Sequence, residues 1–388
     1  MDFLRTELDF LRKASLYRQL RWFEGPQSPR TTVNGRNCIL LSSNNYLGLT
    51  DHPQVKDAAC QALARWGTGS GGSRLISGNF LLYRELEEKI AQFKNTEEVI
   101  VFSSGYLTNI GTISSLAGAE DAVISDELNH ASIIDGCRLS RARVVIFGHK
   151  DMQQLEKVLS ETQDCRRRLV ITDGVFSMDG DLAPLPEIVH LAEKYDAFVM
   201  VDDAHATGVF GSHGTGTVEH FNLEGKVAVQ VGTLSKALAS CGGYVTGKSD
   251  LINYLRNKAR SFIYSTGLPP AAVGAAIAAV DLIREKPEIR ARLFDNVNFL
   301  SEGLTRLGFT ILTRESQIIP ILVGDDNLTM DMDKALFERG VFVTGIRPPS
   351  VPPGTSRLRV SVMATHKRED LEEVLNVFES AGREIGLI

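Results

Sequence analysis

Cysteine is sparse in this 388-residue chain: the five present (Cys38, Cys60, Cys137, Cys165 and Cys241) are scattered and include no CxxC pair. An odd, dispersed set excludes a disulfide framework, offers no thiolate zinc site and predicts a reducing, cytoplasmic setting. Basic excess is lacking as well. Lys and Arg number 42 against 48 Asp and Glu, a net charge of −6, which argues against a nucleic-acid surface. The most apolar stretch, residues 269–280, stops at Asp281, short of the roughly 20 residues a membrane-spanning helix needs. Asp2, Arg5, Glu7, Asp9, Arg12 and Lys13 interrupt any signal-peptide core at the start of the chain. Internal repeats and low-complexity tracts are absent too. What is present is an ordinary globular composition, 43% hydrophobic and 23% charged, in a length that predicts two or three domains of about 100–200 residues and a small-molecule ligand.

Hydrophobic spacing sets the organisation. Leu4, Leu8, Leu11, Leu16 and Leu20 recur at helical intervals and predict an amphipathic N-terminal helix, followed by a hairpin turning at Asn34-Gly35. Two further amphipathic helices are expected: one opens at Pro53 with Val55, Ala59, Leu63 and Trp66 inward, the other turns Leu82, Leu86, Ile90 and Phe93 inward. Short apolar runs at 99–102, 122–125, 144–147, 169–172, 198–201 and 227–231, mostly separated by helical patterns, read as strands buried on both faces of a largely parallel sheet. Beyond the helix that starts near Pro269, helical patterns at 289–307, at 331–339 and from His366 alternate with strand-like 318–323, 341–344 and 358–362. These predict a smaller α+β unit. The expected division is an N-terminal arm over residues 1–50, a large α/β domain over 51–285 and a C-terminal domain over 286–388. The run Pro348-Pro349-Ser350-Val351-Pro352-Pro353 is a stiff loop within the last of these.

Chemistry concentrates where strands end. The run at 227–231 leads into Gly232-Thr233-Leu234-Ser235-Lys236 and then into small residues. A lysine crowded by groups that permit close ligand approach suits a carbonyl cofactor, because burial turns its amine into a nucleophile; the alternative is a solvated surface lysine. Thr233 and Ser235 offer hydroxyls to a phosphate. At Val199-Met200-Val201-Asp202-Asp203-Ala204-His205 an uncharged strand ends in two carboxylates and a histidine, at the edge where open α/β sheets bind ligands. Asp202 suits the ring nitrogen of pyridoxal phosphate and His205 its phenolic oxygen, although such aspartates also cap turns. DxxH lacks a third companion for a metal. Ser103-Ser104-Gly105-Tyr106 opens a helix, whose N–H groups bind anions, or is a simple turn; His130 stacks on a planar ring or is merely exposed. Gly67-Thr68-Gly69-Ser70-Gly71-Gly72 matches GxGxxG, but it follows a helix and runs on as a loop, which excludes a dinucleotide fingerprint.

Taken in order, Ser43-Asn44-Asn45-Tyr46-Leu47-Gly48-Leu49, Gly69-Ser70-Gly71-Gly72-Ser73-Arg74, Gly174-Val175-Phe176-Ser177-Met178-Asp179-Gly180-Asp181, Asp202-Asp203-Ala204-His205, Thr233-Leu234-Ser235-Lys236 and Arg357-Leu358-Arg359 resemble the motifs of the α-oxoamine synthases. The resemblance covers nearly the whole chain. It implies a fold-type I pyridoxal 5′-phosphate transferase, α/β in class, with a mostly parallel seven-stranded sheet and a smaller C-terminal domain. It implies Lys236 as the cofactor-bearing lysine and proton shuttle, Asp202 on the pyridine nitrogen, His205 on the phenolic oxygen and His130 stacked on the ring. Ser177, Thr233, Gly105 and Tyr106 would hold cofactor and phosphate. Arg359 with Asn44 would bind the amino-acid carboxylate, Arg347 being the alternative, and Thr266 would reach the phosphate of a neighbouring subunit in a homodimer. The loop Gly345-Ile346-Arg347-Pro348-Pro349-Ser350-Val351-Pro352 resembles the branch that joins L-alanine to a pimeloyl thioester, on coenzyme A or a carrier protein. A glycine-using acetyltransferase and a silent binding protein are the rival expectations, the latter opposed by the intact Lys236 and Asp202. Asp173 departs from the family, which has Glu at that place.

Overall fold

In the computed structural model, which describes residues 1–13 and 16–388, the apolar runs form one sheet in the order Glu98–Phe102, Gly243–Gly247, Val229–Thr233, Phe198–Asp202, Arg168–Asp173, Ala122–Asp126 and Arg143–Phe147. Gly243–Gly247 runs antiparallel to both neighbours and the others run parallel. Helices cover both faces. Along Phe198–Asp202, Met200 enters one apolar cluster while Val199 and Val201 enter the other, as the two-residue period of a strand requires.

Two strands differ from expectation. Gly243–Gly247 does not stand out in the sequence because a glycine at each end leaves only Tyr244-Val245-Thr246 between them. The first glycine has a reason: a Cβ on Gly243 would lie 2.7 Å from the Cα of Gly105, so the helix that Gly105 opens rests directly on strand backbone. Arg143–Phe147, expected to be buried on both faces, is an edge strand with Val144 and Ile146 exposed.

The helices hold with adjustments. Pro53–Trp66 buries Val55 and Ala62 rather than Leu63, which is exposed. It lies close against Pro270–Glu285, where a Cβ on Gly274 would come within 2.7 Å of both the Ala58 carbonyl oxygen and the Ala62 Cβ. The N-terminal helix spans Asp2–Lys13. The expected helix continued across residues 14 and 15, which lie outside the described residues; Leu16 and Leu20 are not helical. The N–H groups of Leu16 and Tyr17 both return to the Leu11 carbonyl, which ends the helix.

In the smaller unit, Ser356–Ser361 pairs antiparallel with Ile318–Gly324 on one side and Thr344–Ile346 on the other. The single strand expected at 341–344 is two, because Val341–Phe342 pairs instead with Arg36–Leu40 of the N-terminal hairpin. That parallel pairing ties the arm to the end of the chain. The helix expected from 331 starts at Asp326, capped by the Asp325 carboxylate on the Leu328 N–H at 2.9 Å.

Two charged clusters fix the loops at the strand ends. Lys94 and Asp203, both essentially solvent-free, form an ion pair of 3.1 Å, and Asp203 also accepts from the Thr217 hydroxyl at 2.5 Å. Gly216 (φ +130°) approaches this carboxylate so closely that a Cβ would fall 2.0 Å from Oδ2. Second, His149 bridges Asp126 (3.1 Å) and Asp181 (2.9 Å) and sets its ring edge against Phe176 at 4.4 Å. The loop at 174–182 is thereby held at both ends, since the Phe176 N–H also reaches the Asp181 carbonyl.

Burial pushes the His149 pKa down, but the hydrogen bonds to Asp126 and Asp181 outweigh it and lift the imidazole to about 9. The folded value lies above the unfolded one, so the stabilisation is complete below about pH 6.5 and is lost as pH rises through about 9, up to about 3 kcal/mol in all. His149→Gln should therefore lower the thermal midpoint at neutral pH and flatten its decline between about pH 7 and 9.5. Parallel midpoint curves for the two proteins would contradict this assignment.

Candidate active site

The carboxyl ends of Phe198–Asp202, Arg168–Asp173 and Val229–Thr233 open onto one cavity of about 260 Å³. Eight of the expected residues line it together: Gly105, Tyr106, His130, Ser177, Asp202, His205, Thr233 and Lys236. The parallel ladder sets Asp173 beside Asp202, so two buried carboxylates share one edge of the site.

They are kept apart chemically by their partners. Asp202 accepts from Asn109 Nδ2 at 2.6 Å and from the Ala204 N–H at 2.9 Å. Asp173 accepts the His130 N–H at 2.9 Å, while its own N–H reaches Asn129 Oδ1 at 2.8 Å. Burial, reinforced by the Asp202 charge, raises the Asp173 pKa well above the usual carboxylate range against the opposing pull of the His130 N–H and Lys236. Asp173 is the group that takes a proton. Asp202 also lines the cavity, held by its two neutral donors.

Lys236 follows the strand Val229–Thr233. Burial lowers its pKa to about 8 despite the opposing pull of Asp202 and Asp173, with Arg359 adding to the drop. An amine so placed exchanges a proton readily near neutral pH. His205 is buried and its pKa falls well below the ordinary value, from desolvation first and then from the charges of Lys236, Arg359 and His130. Its ring is neutral. His130 caps the helix Ala131–Ser140, with its Nδ1 2.7 Å from the Ser132 hydroxyl.

A further group of donors lines the same cavity. Ser104 caps the helix Gly105–Leu116 through the Leu107 N–H at 3.1 Å. Thr233 Oγ1 stands 2.7 Å from the Ser235 hydroxyl, and a Cβ on Gly105 would lie 3.3 Å from that Thr233 oxygen. A helix amino end, two hydroxyls and a glycine make an anion cradle. Tyr106 Oη donates to Asp135 Oδ2.

Arg359 is buried, not part of a solvated strand face, and the same holds for Arg357. Arg359 donates from Nε to the Ser177 carbonyl at 2.5 Å, from Nη1 to the Ser361 hydroxyl at 2.9 Å and from Nη2 to Asn44 Oδ1 at 3.3 Å. These bonds engage three of a guanidinium's five N–H donors and leave two; neither Arg359 nor Asn44 lines the cavity itself. Arg357 instead pairs with Asp179 at 2.6 Å. Arg347 does not line the cavity; its Nη1 lies 2.7 Å from the Met330 sulfur. Thr266 also lies outside the cavity, exposed, bridged to Ser73 and accepting through its carbonyl from the Ser103 hydroxyl at 2.8 Å.

Asn109, Tyr46 and Gln317 were not singled out by their sequence context. Asn109 had a signal, since it lies four residues beyond Gly105 and so on the same helix face. Tyr46 Oη approaches His205 Nδ1 at 2.6 Å, and Gln317 Nε2 donates to the His205 carbonyl at 2.8 Å. Both partners are more than a hundred residues away in sequence, and nothing local marks them.

The donor set fits pyridoxal phosphate. A buried carboxylate held by two neutral donors fits its ring N–H, a neutral imidazole its phenolic oxygen, the glycine-lined helix end its phosphate and a lysine of lowered pKa its carbonyl carbon.

Comparison with known proteins agrees with the geometry. The 8-amino-7-oxononanoate synthase of Thermoanaerobacter pseudethanolicus is 49% identical over 100% of this chain and 98% of its own length. That of Symbiobacterium thermophilum is 51% identical over 100% of this chain and 99% of its own. A solved structure of SPT with a PLP internal aldimine superposes with a TM-score of 0.94 at 37% identity, covering 100% of this chain and 98% of that one. The model of the aminotransferase class I and II family matches residues 36–378. The chain belongs to the class I and II aminotransferases and, within them, to the α-oxoamine synthases.

Proposed function

We propose that this chain condenses L-alanine with a pimeloyl thioester, with loss of carbon dioxide, to give 8-amino-7-oxononanoate, the reaction named for the relatives that share about half its residues. The cofactor is pyridoxal 5′-phosphate. The observation that carries the mechanism is the convergence of Lys236, Asp202, His205 and Ser177 on one cavity, with Arg359 hydrogen-bonded to the Ser177 carbonyl.

Pyridoxal phosphate, when bound, supplies a protonated ring that takes up the electron pair released at the α carbon of the amino acid. Each residue's part then follows from its surroundings. Asp202, oriented by Asn109 Nδ2 and the Ala204 N–H, would accept from the ring N–H and so hold a proton on that nitrogen. Lys236, with its pKa near 8, removes the α proton and returns one at the end. Arg359 fixes the alanine carboxylate with its remaining N–H donors, a planar fork suited to two oxygens. Ser104, Thr233 and Ser235 receive the phosphate. His130 lies against the ring.

Assembly belongs to the same reading. Ser73 and Thr266 are bridged, and Leu75, Ile76 and Tyr264, two or three residues from them in sequence, are exposed. A second copy covering this face would bring Thr266 to its neighbour's phosphate, and a homodimer is the working unit. No described helix is long and apolar enough to cross a membrane, and a cytoplasmic location is proposed with the rest.

Purified protein should release carbon dioxide faster with alanine and a pimeloyl thioester than with glycine and acetyl-CoA; the reverse order would point to the acetyltransferase reading. The acyl preference should exceed the amino-acid preference, since one methyl group discriminates by only about 1–3 kcal/mol. Lys236→Ala should lose the cofactor adduct that borohydride fixes to the chain, and a reducible adduct surviving in that variant would remove Lys236 from its role. Arg359→Ala should weaken alanine binding by about 1.5–3 kcal/mol with cofactor loading retained. Equilibrium titration of the loaded protein with alanine checks this, and an unaltered affinity would contradict it.

A further inference from the structure

Behind His205 lies a small buried polar chain that the mechanism above does not use. Tyr46 is wholly buried. Its hydroxyl is 2.6 Å from His205 Nδ1 and 3.1 Å from Asn44 Oδ1, and that same Asn44 oxygen accepts from Arg359 Nη2 at 3.3 Å. One phenol thus joins the histidine of the cofactor site to the amide beside the carboxylate-binding arginine.

A phenol has a single hydrogen, which goes either to the Asn44 oxygen, with His205 Nδ1–H donating to the phenol, or to a bare His205 Nδ1. The Asn44 oxygen already receives one from Arg359, whereas the contact to His205 is the shorter and so the stronger. A neutral imidazole has one N–H and one bare nitrogen, and the hydrogen bond made by one nitrogen decides which is which. We propose that Tyr46 is a positioning residue that donates to His205 Nδ1 and thereby holds the histidine as its Nε2–H tautomer, a donor aimed at an anionic oxygen in the cavity.

The consequence is chemical. With Nε2–H fixed, His205 favours the phenolate form of a cofactor oxygen facing it. With the opposite tautomer it would present a lone pair and repel that anion. The inference deepens the pyridoxal phosphate reading in its second half only, because the tautomer exists whatever occupies the cavity.

Two measurements test it on the full-length, cofactor-loaded protein. Long-range 1H–15N NMR with 15N-histidine, with His205→Asn identifying the signal, should show a bare Nδ1 and a protonated Nε2. A protonated Nδ1 in the unmodified protein overturns the proposal and needs no Tyr46 variant to fold. Second, Tyr46→Phe should shift the pH midpoint of the cofactor's visible absorption by about one unit, the effect of losing one hydrogen bond of ordinary strength. Against a His205→Asn background the same substitution should shift it no further, since a residue that acts through another is non-additive with it. Equal shifts in both backgrounds would mean that Tyr46 has only a packing role. Absence of cofactor absorption altogether would count against the function, whereas the NMR result bears on the tautomer alone.

Discussion

A carboxylate at the buried end of a strand costs several kcal/mol unless something compensates its charge, and in this protein two stand side by side. The register that pairs Asp173 with Asp202 makes both ionised forms unfavourable together. The surroundings divide the roles: Asp173 is driven toward the neutral acid, and Asp202 is given two neutral donors and the nearby Lys236 amine. Asp202, oriented by Asn109 and the Ala204 N–H, is the carboxylate we assign to a ring nitrogen, while Asp173 accepts the backbone N–H of His130.

The loops that complete the site are tied down by charged groups well away from the reacting atoms. His149 anchors the loop whose Ser177 carbonyl receives Arg359, and Lys94 anchors Asp203 next to Asp202. Binding groups on loops are thus held with the rigidity of sheet and helix. Arg359 of the C-terminal unit donates to the Ser177 carbonyl, and Asn44, in the N-terminal segment next to the hairpin that pairs with Val341–Phe342, accepts from the same guanidinium. The N-terminal and C-terminal parts of the chain thus meet at Ser177, which lines the cavity at the edge of the large sheet.

Much of this was legible in the residues. Lys236, Asp202, His205 and Gly105 announce themselves because a ligand site forces abrupt local changes: charge after an apolar strand, or small residues around a lysine. Arg143–Phe147 was misjudged because an apolar run looks the same on an edge as in a centre. Gly243–Gly247 was overlooked because its end glycines, the first of them required by the Gly105 helix, shorten the strand-like run to Tyr244-Val245-Thr246. Arg357 and Arg359 share a face and a residue type, yet one pairs with Asp179 and the other with Ser177 and Asn44. Only the fold separates them. Tyr46 and Gln317 are further cases in which function comes from a partner remote in sequence.

The central claim is that Asp202 keeps a proton on the cofactor's ring nitrogen. It is read most directly by 15N NMR of the protein loaded with ring-15N pyridoxal phosphate. The account predicts the chemical shift of a protonated pyridine nitrogen at neutral pH, collapsing to that of a bare nitrogen in Asp202→Asn. A bare ring nitrogen in the unmodified protein would contradict it.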